Sequence, residues 1–277
     1  MVISTSYGRT VRNQQRQSPS GFSLVELMVV IAVVAIMASL LLPALNRTKE
    51  QARATACRSN MKQLSLAFLM YAEDNDDTLP WPGGVGRAIS SPEAYAPDWC
   101  ATPPEMPLIP FTAASADVPG FGHNAEVGSI FPYVTSQPRR AYDSTFKETT
   151  SVYRCPSAGA LGEALRVNYS ANARTEPGSG GSGGPPVTAS SAVTPVPATG
   201  VNTAAITDPS RKVMLVNEDA RGMKSTSFEP RSPAREVQYH LEKANVGFMD
   251  GHMESIPKRE FMNMRVRDTD FYFTPSK

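Results

Sequence analysis

Hydrophobic and polar positions divide this chain into two parts. Between Leu27 and Leu42 sixteen residues include a single polar one, Ser39. As a helix such a run has no polar face to turn toward water, so it suits lipid or a protein core on every side. From Phe22 to Leu45 a helix rises about 36 Å, against a hydrocarbon core of roughly 30 Å. Beyond Pro43 the pattern changes. Cys57, Met61, Leu64, Phe68 and Tyr71 recur at alternating steps of four and three residues, while Arg58, Lys62 and Glu73 take the opposite face. That is one apolar stripe on an amphipathic helix, and no Gly or Pro interrupts residues 44–77. The spacing predicts a helix that continues from the apolar run through 46–77 and packs its stripe on a sheet. Pro43 removes one backbone hydrogen bond and is expected to bend it.

The second part is rich in turn residues. Pro82-Gly83-Gly84, Pro103-Pro104 and Pro119-Gly120 punctuate residues 81–150, which read as loops with a short helix near 128–134. Trp99, Cys100, Phe111 and Phe121 are expected to pin these loops to the core, and His123 to lie in a surface loop. Strands are expected at 151–155, 166–171, 212–217 and 245–249. Asp250-Gly251 reads as a hairpin turn returning through 253–256, and Phe271-Tyr272-Phe273 as a short edge strand. Residues 176–200 lack every aromatic and every large aliphatic residue except Val, so they are expected to form a flexible surface insertion. The fold class is α+β: a long N-terminal helix whose second half packs on a small antiparallel β-sheet with long loops.

Charge and the leader change the picture at the N-terminus. Lys and Arg number 27 and Asp and Glu 26, for a net charge of +1, so no nucleic acid or other polyanionic partner is implied. Residues 1–20 carry Arg9, Arg12 and Arg16 and no acid. In a secretory signal peptide the cleavage site follows the apolar stretch. Here a small residue, Gly21, precedes it, so cleavage there leaves the apolar helix on the mature chain. Arg47, Lys49, Arg53, Arg58 and Lys62 beyond the run offset the leader, and the positive-inside rule fixes no orientation. Glu26 is the odd residue, since an acid deep in a bilayer costs roughly 2.5–3.5 kcal/mol. Two readings stand: an interfacial acid on an ordinary anchor, or an acid awaiting a cation such as the α-amino group of Phe22 on a neighbouring copy.

Gly21-Phe22-Ser23-Leu24-Val25-Glu26, followed by the apolar run, resembles the class III signal of type IV pilins and type II secretion pseudopilins. The resemblance implies a prepilin peptidase that cuts after Gly21 and N-methylates Phe22, an assembly role for Glu26, a helix kink at Pro43 and a pilin-like fold. The chain then divides into a leader (1–21), a transmembrane and assembly helix (22–45), its amphipathic continuation (46–77) and a soluble β-rich domain (78–277). The implied function is that of a structural subunit in a type II secretion or type IV pilus-like filament. Its implied partners are the peptidase, other pseudopilin subunits and an inner-membrane assembly platform. The implied location is the bacterial inner membrane, single-pass, with a cytoplasmic leader and an extracytoplasmic C-terminal domain.

Candidate chemistry is sparse. His240, nine residues and then Asp250-Gly251 is similar to a C-terminal signature found with pilin-type N-termini in large pseudopilin-like families. Residues 56–64, Cys155-Pro156 and Asn168-Tyr169 also fit them. His240, Asp250 and His252 offer three donors near one hairpin. They read either as a structural hairpin with a His–Asp hydrogen bond or, as the resemblance implies for some pseudopilins, as a Ca²⁺ or other metal site. No nucleophile has an adjacent base and no paired acids mark a cleft, so no enzyme is expected. The alternative function is a membrane-anchored exported binding module or metal-dependent hydrolase that uses the prepilin-type signal, with those three residues as its site. Cys57, Cys100 and Cys155 lack CxxC spacing. In an exported domain they form either one disulfide, with Cys57–Cys155 the first choice because both sit in recognisable elements, or three separate thiols.

Overall fold

The computed structural model describes residues 21–83, 98–100, 122–140, 151–175, 200–223, 226–232 and 237–275. The leader before Gly21, Phe111, Phe121 and the insertion as far as residue 199 lie outside the described residues. The chain forms two compact units, Met1–Arg47 and Thr48–Lys277. One helix, α1 (Leu24–Asp74), contributes residues to both.

In the first unit α1 carries the apolar run, with every residue from 21 to 47 exposed. By length and composition it can cross a membrane. Pro43 lies inside the helix, which runs on through it. The missing N–H costs one intrahelical hydrogen bond without ending the element.

In the second unit the predicted stripe of α1 is the buried one: Cys57, Met61, Leu64, Phe68 and Tyr71 all face the core. They cluster with Trp99, Tyr153, Tyr169, Ala171 and Leu215, and Phe68 meets the Trp99 ring at 5.5 Å. Trp99 and Cys100 are buried as expected. A short helix, α2 (Phe131–Thr135), stands where one was expected, and α3 (Gly159–Leu165) leads into the sheet.

The sheet comprises β1 (Tyr169–Asn172), β2 (Val213–Asn217), β3 (Ser227–Phe228), β4 (Tyr239–His240), β5 (Lys243–Phe248) and β6 (Met253–Pro257). Its order is β3-β1-β2-β5-β4, with β6 also paired to β5. It is mixed where an antiparallel sheet was expected: β1 runs antiparallel to β2 but parallel to β3. The chain reverses once into β2 and again before β3, which therefore takes the direction of β1. β6 pairs along β5 from Lys243↔Pro257 to Gly247↔Met253. β2 and β4 consequently share the other edge of β5, β2 along its C-terminal half and β4 at Lys243 and Ala244. Strand alternation turns Leu215 and Asn217 toward α1. Val213, Val216, Val246, Phe248 and Ile256 join a second cluster with Phe261, Met264 and Phe273, which come from α4 (Lys258–Val266) and α5 (Thr269–Phe273).

Three local expectations fail for identifiable reasons. Residues 151–153 form a 3-10 turn rather than a strand. The segment is cut short by Pro156, which has no N–H for a ladder, and Tyr153 buries itself by stacking at 6.1 Å on Trp99. Residues 269–273 are helical rather than an edge strand. Phe273 is drawn between Phe228 and Phe261, 6.2 and 6.5 Å away, and its carbonyl accepts from Asn172 Nδ2 at 2.7 Å. His123 is buried rather than at the surface, held by its backbone N–H to Leu165 O at 2.9 Å.

Candidate functional site

Among the described residues two places carry chemistry, one in each unit. In the first, Ser23 precedes α1 and Glu26 sits three residues on. The backbone N–H of Ser23 donates to Glu26 Oε2 at 2.8 Å, and Val25 N donates to Ser23 Oγ at 3.3 Å. Leu27 N closes the first helical turn on Ser23 O at 3.2 Å. This is a capping box: a serine accepts from the helix start while an acid three residues later reaches back to the serine's N–H. The sequence reading weighed Glu26 only as an interfacial or assembly acid, although Ser-x-x-Glu ahead of an apolar run was the signal for a cap. The cap occupies one acceptor site of a carboxylate that has about four, so the same group keeps capacity for a cation. Phe22 is exposed beside it.

In the second unit a buried polar group interrupts the core. Cys57 comes from the α1 stripe, Cys155 follows the 3-10 turn, Asn217 ends β2 and His240 ends β4. The shared edge of β5 brings the last two together, and Gln238 N donates to Asn217 O at 2.8 Å. Cys155 Sγ lies 3.5 Å from His240 Nε2. Asn217 Nδ2 lies 3.3 Å from Cys57 Sγ, 3.2 Å from Cys155 Sγ and 3.2 Å from His240 Nε2. The thiol sulfurs of Cys57 and Cys155 and a ring nitrogen of His240 fall within 4.8 Å of one another. On the far side of the ring, Nδ1 donates to Glu50 Oε1 at 2.8 Å. Ser157 Oγ also donates to Glu50 Oε1 at 2.8 Å, and Arg53 stands 3.6 Å from Oε2. Cys155 N–H donates to Asn168 Oδ1 at 3.1 Å.

These neighbours set the protonation states. The Cys57 hydrogen bond, together with the His240 ring and its charge, outweighs burial and holds the Cys155 thiol down at about 5. Burial, then the Cys155 thiolate, pushes Cys57 well up. Burial pulls His240 down, but the thiolate and Glu50 more than compensate and raise it. Burial pushes Glu50 up, and its bonds to His240 and Ser157 bring it below its ordinary value. These shifts favour the charged forms of Cys155, His240 and Glu50 and the neutral thiol of Cys57.

The structure separates the three donors first grouped as a metal site. Asp250 Oδ1 and His252 Nδ1 meet at 2.6 Å in the hairpin turn, both partly exposed, and the His252 ring stacks on Phe248 at 4.4 Å. His240 stands at the other end of β5, about 17 Å along the strand. The spacing from His240 to Gly251 has a structural account instead. Glu50 and Lys62 are about 18 Å apart along α1; His240 docks on the first, and Lys62 Nζ donates to Gly251 O at 2.7 Å on the second. Between them Asn245 Nδ2 donates to Ala54 O at 3.1 Å. Cys57 and Cys155, the first choice for a disulfide, are brought together, and all three cysteines are free thiols. Glu50 and Asn217 were missed. Glu50 lies two turns before Cys57 on the same helix face, a polar residue leading an apolar stripe.

Comparison with known proteins follows the same division. Residues 16–42 match the prokaryotic N-terminal methylation motif, and residues 46–232 match the family described as protein of unknown function (DUF1559). Neither match extends to His240 or Asp250. Type II secretion system core protein G of Pseudomonas aeruginosa is 38% identical over 61 residues, 22% of this chain and 43% of that protein. The core protein G of Klebsiella michiganensis is 34% identical over 96 residues, 35% of this chain and 62% of that protein. Type IV major pilin protein PilA of Myxococcus xanthus is 24% identical over 161 residues, 52% of this chain and 73% of that protein. The chain spans about half the length of the core protein G relatives it matches. No solved structure matches. With two thirds of its length matched, the chain belongs to the family described as protein of unknown function (DUF1559), borne behind a prokaryotic N-terminal methylation motif.

Proposed function

We propose that this chain is a pilin-like structural subunit of a type II secretion or type IV pilus-like filament. The carrying observation is the match of residues 16–42 to the methylation motif, with Glu26 in the first turn of an exposed apolar helix. A prepilin peptidase cuts between Gly21 and Phe22 and methylates the new terminus. The mature chain is stored as a single-pass protein of the bacterial inner membrane, its leader having faced the cytoplasm and its C-terminal unit lying outside it. With other subunits and an inner-membrane assembly platform it polymerises through α1. Each copy adds by the same non-closing contact, so growth is open-ended. Glu26 pairs with the Phe22 amine of a neighbour, and in a low-dielectric core a mispaired charge is costly enough to set the register.

The role is structural rather than enzymatic. The hydrolase reading rested on His240, Asp250 and His252, which stand at opposite ends of β5. The curated relatives support the subunit reading by their names, core protein G and major pilin.

The test is the mass of the chain from cells with and without a prepilin peptidase. With the peptidase it should begin at Phe22 and carry one added methyl group. A chain that keeps residues 1–21 in both strains, or one cut beyond Leu45, overturns the reading.

A further inference from the structure

We propose that Cys57, Cys155 and His240 form a buried zinc site, with Asn217 at its fourth corner. This site stands on the second unit alone and does not depend on the filament reading.

Geometry comes first. Zinc takes sulfur at about 2.3 Å and imidazole nitrogen at about 2.0–2.1 Å in a tetrahedron, which places such a sulfur and nitrogen about 3.5 Å apart. Cys155 Sγ and His240 Nε2 are 3.5 Å apart. The amide end of Asn217 lies 3.2 to 3.3 Å from each of the three donors, so the four atoms mark out a compact tetrahedron. Its two remaining edges, from Cys57 to Cys155 and to His240, are no longer than 4.8 Å.

The hydrogen bonding of Asn217 is the second, independent observation. Its Nδ2 has two hydrogens yet faces three heavy atoms. Meanwhile Oδ1 is buried without a hydrogen-bond partner among the described residues. Turning the amide end for end, which leaves its outline unchanged, puts the orphaned oxygen at the fourth corner as a ligand. A metal resolves both faults at once.

The surroundings fit a structural metal. The donors are almost sealed from solvent, at 0%, 2% and 3% exposure, and closed four-cornered sites are structural while catalytic ones keep an open position. Two thiolates cancel the charge of a divalent cation, so the filled site adds no net charge to the core. His240 offers Nε2 to the metal while Nδ1 donates to Glu50, the carboxylate–histidine support common behind metal ligands. The sulfur donors select zinc over calcium, which takes oxygen ligands. Filled, the site ties α1, the segment after the 3-10 turn, β2 and β4 at one point.

The experiment uses the full chain, purified in detergent with reductant and supplied with zinc, then freed of excess metal. About one zinc per chain should remain, and replacement by Co²⁺ should give the thiolate-to-cobalt absorption of a four-coordinate site. Zinc should also protect Cys57 and Cys155, but not unfolded controls, from alkylation read by mass spectrometry. Glu50→Gln should weaken zinc binding about 10- to 100-fold, and Cys155→Ser should abolish stoichiometric zinc. If Cys155→Ser does not fold, the cobalt spectrum and the alkylation pattern of the unaltered chain decide. A folded chain that retains no zinc and whose cobalt form lacks the thiolate band overturns the proposal. So does a Cys57–Cys155 disulfide in the chain as isolated from cells without added oxidant.

Discussion

His240 Nδ1 lies 2.8 Å from Glu50 Oε1, across 190 residues of sequence. The pair clamps the start of β5 to α1, and its ring is almost fully buried while Glu50 keeps a quarter of its side chain in solvent. Removing one partner of such a pair leaves a charge without its neighbour, so His240→Ala should cost about 3 kcal/mol. His252, in an exposed pair with Asp250, should cost less than about 1 kcal/mol when changed to Ala. Urea unfolding of the two variants in the full chain checks the contrast. Equal losses would mean that the two ends of β5 are held alike.

Phe68 fills the space between α1 and Trp99. Phe68→Ala should lower stability by about 3–5 kcal/mol, measured by the same unfolding midpoints. Met70 on the exposed face of the same helix should tolerate Ala with a change within about 0.5 kcal/mol.

Gly251 takes φ +84°, and a Cβ there would stand 3.1 Å from Leu69 Cδ1. The turn needs both the left-handed backbone and the close seat on α1. Gly251→Ala should cost about 1–3 kcal/mol, and Gly251→Val more, with exchange of the Gly251 and His252 amides rising first. Unchanged exchange would show that the turn is not seated on the helix.

Much of this was legible in the chain and some was not, for physical reasons. α1 was readable because the Cys57–Tyr71 stripe is strictly periodic. β2, β5 and β6 were readable because long apolar or alternating runs flank a turn at Asp250-Gly251. β3 and β4 have two residues each and exist only because a neighbour offers an edge, which no local pattern reports. Phe271-Tyr272-Phe273 looked like a strand by composition, and the burial of Phe273 decided otherwise. The Cys57–Cys155–His240 group was hidden because its members approach only once α1, the 3-10 turn and β4 are folded. Grouping His240 with Asp250 and His252 followed closeness in sequence, which β5 undoes.

Among the described residues nothing lies within 4 Å of a Cβ placed at Gly21. Substitution there meets no described neighbour, so it is expected to report on processing. Gly21→Val should accumulate as the uncut precursor, and Gly21→Ala should be cut in part, as read by intact mass. Full cleavage of Gly21→Val would move the processing site elsewhere.

Glu26 has two tasks in this account, and one substitution separates them. It accepts from Ser23 N–H in the capping box, which a glutamine also does. Only the acid can pair with a neighbour's terminal amine. The most direct measurement is the amount of Glu26→Gln subunit in sheared, purified filaments, beside unaltered chain at equal expression. Normal cleavage after Gly21 with at least a tenfold loss from filaments, equivalent to about 1.4 kcal/mol, is the predicted result. Wild-type incorporation of Glu26→Gln would contradict charge pairing and leave Glu26 as a helix cap.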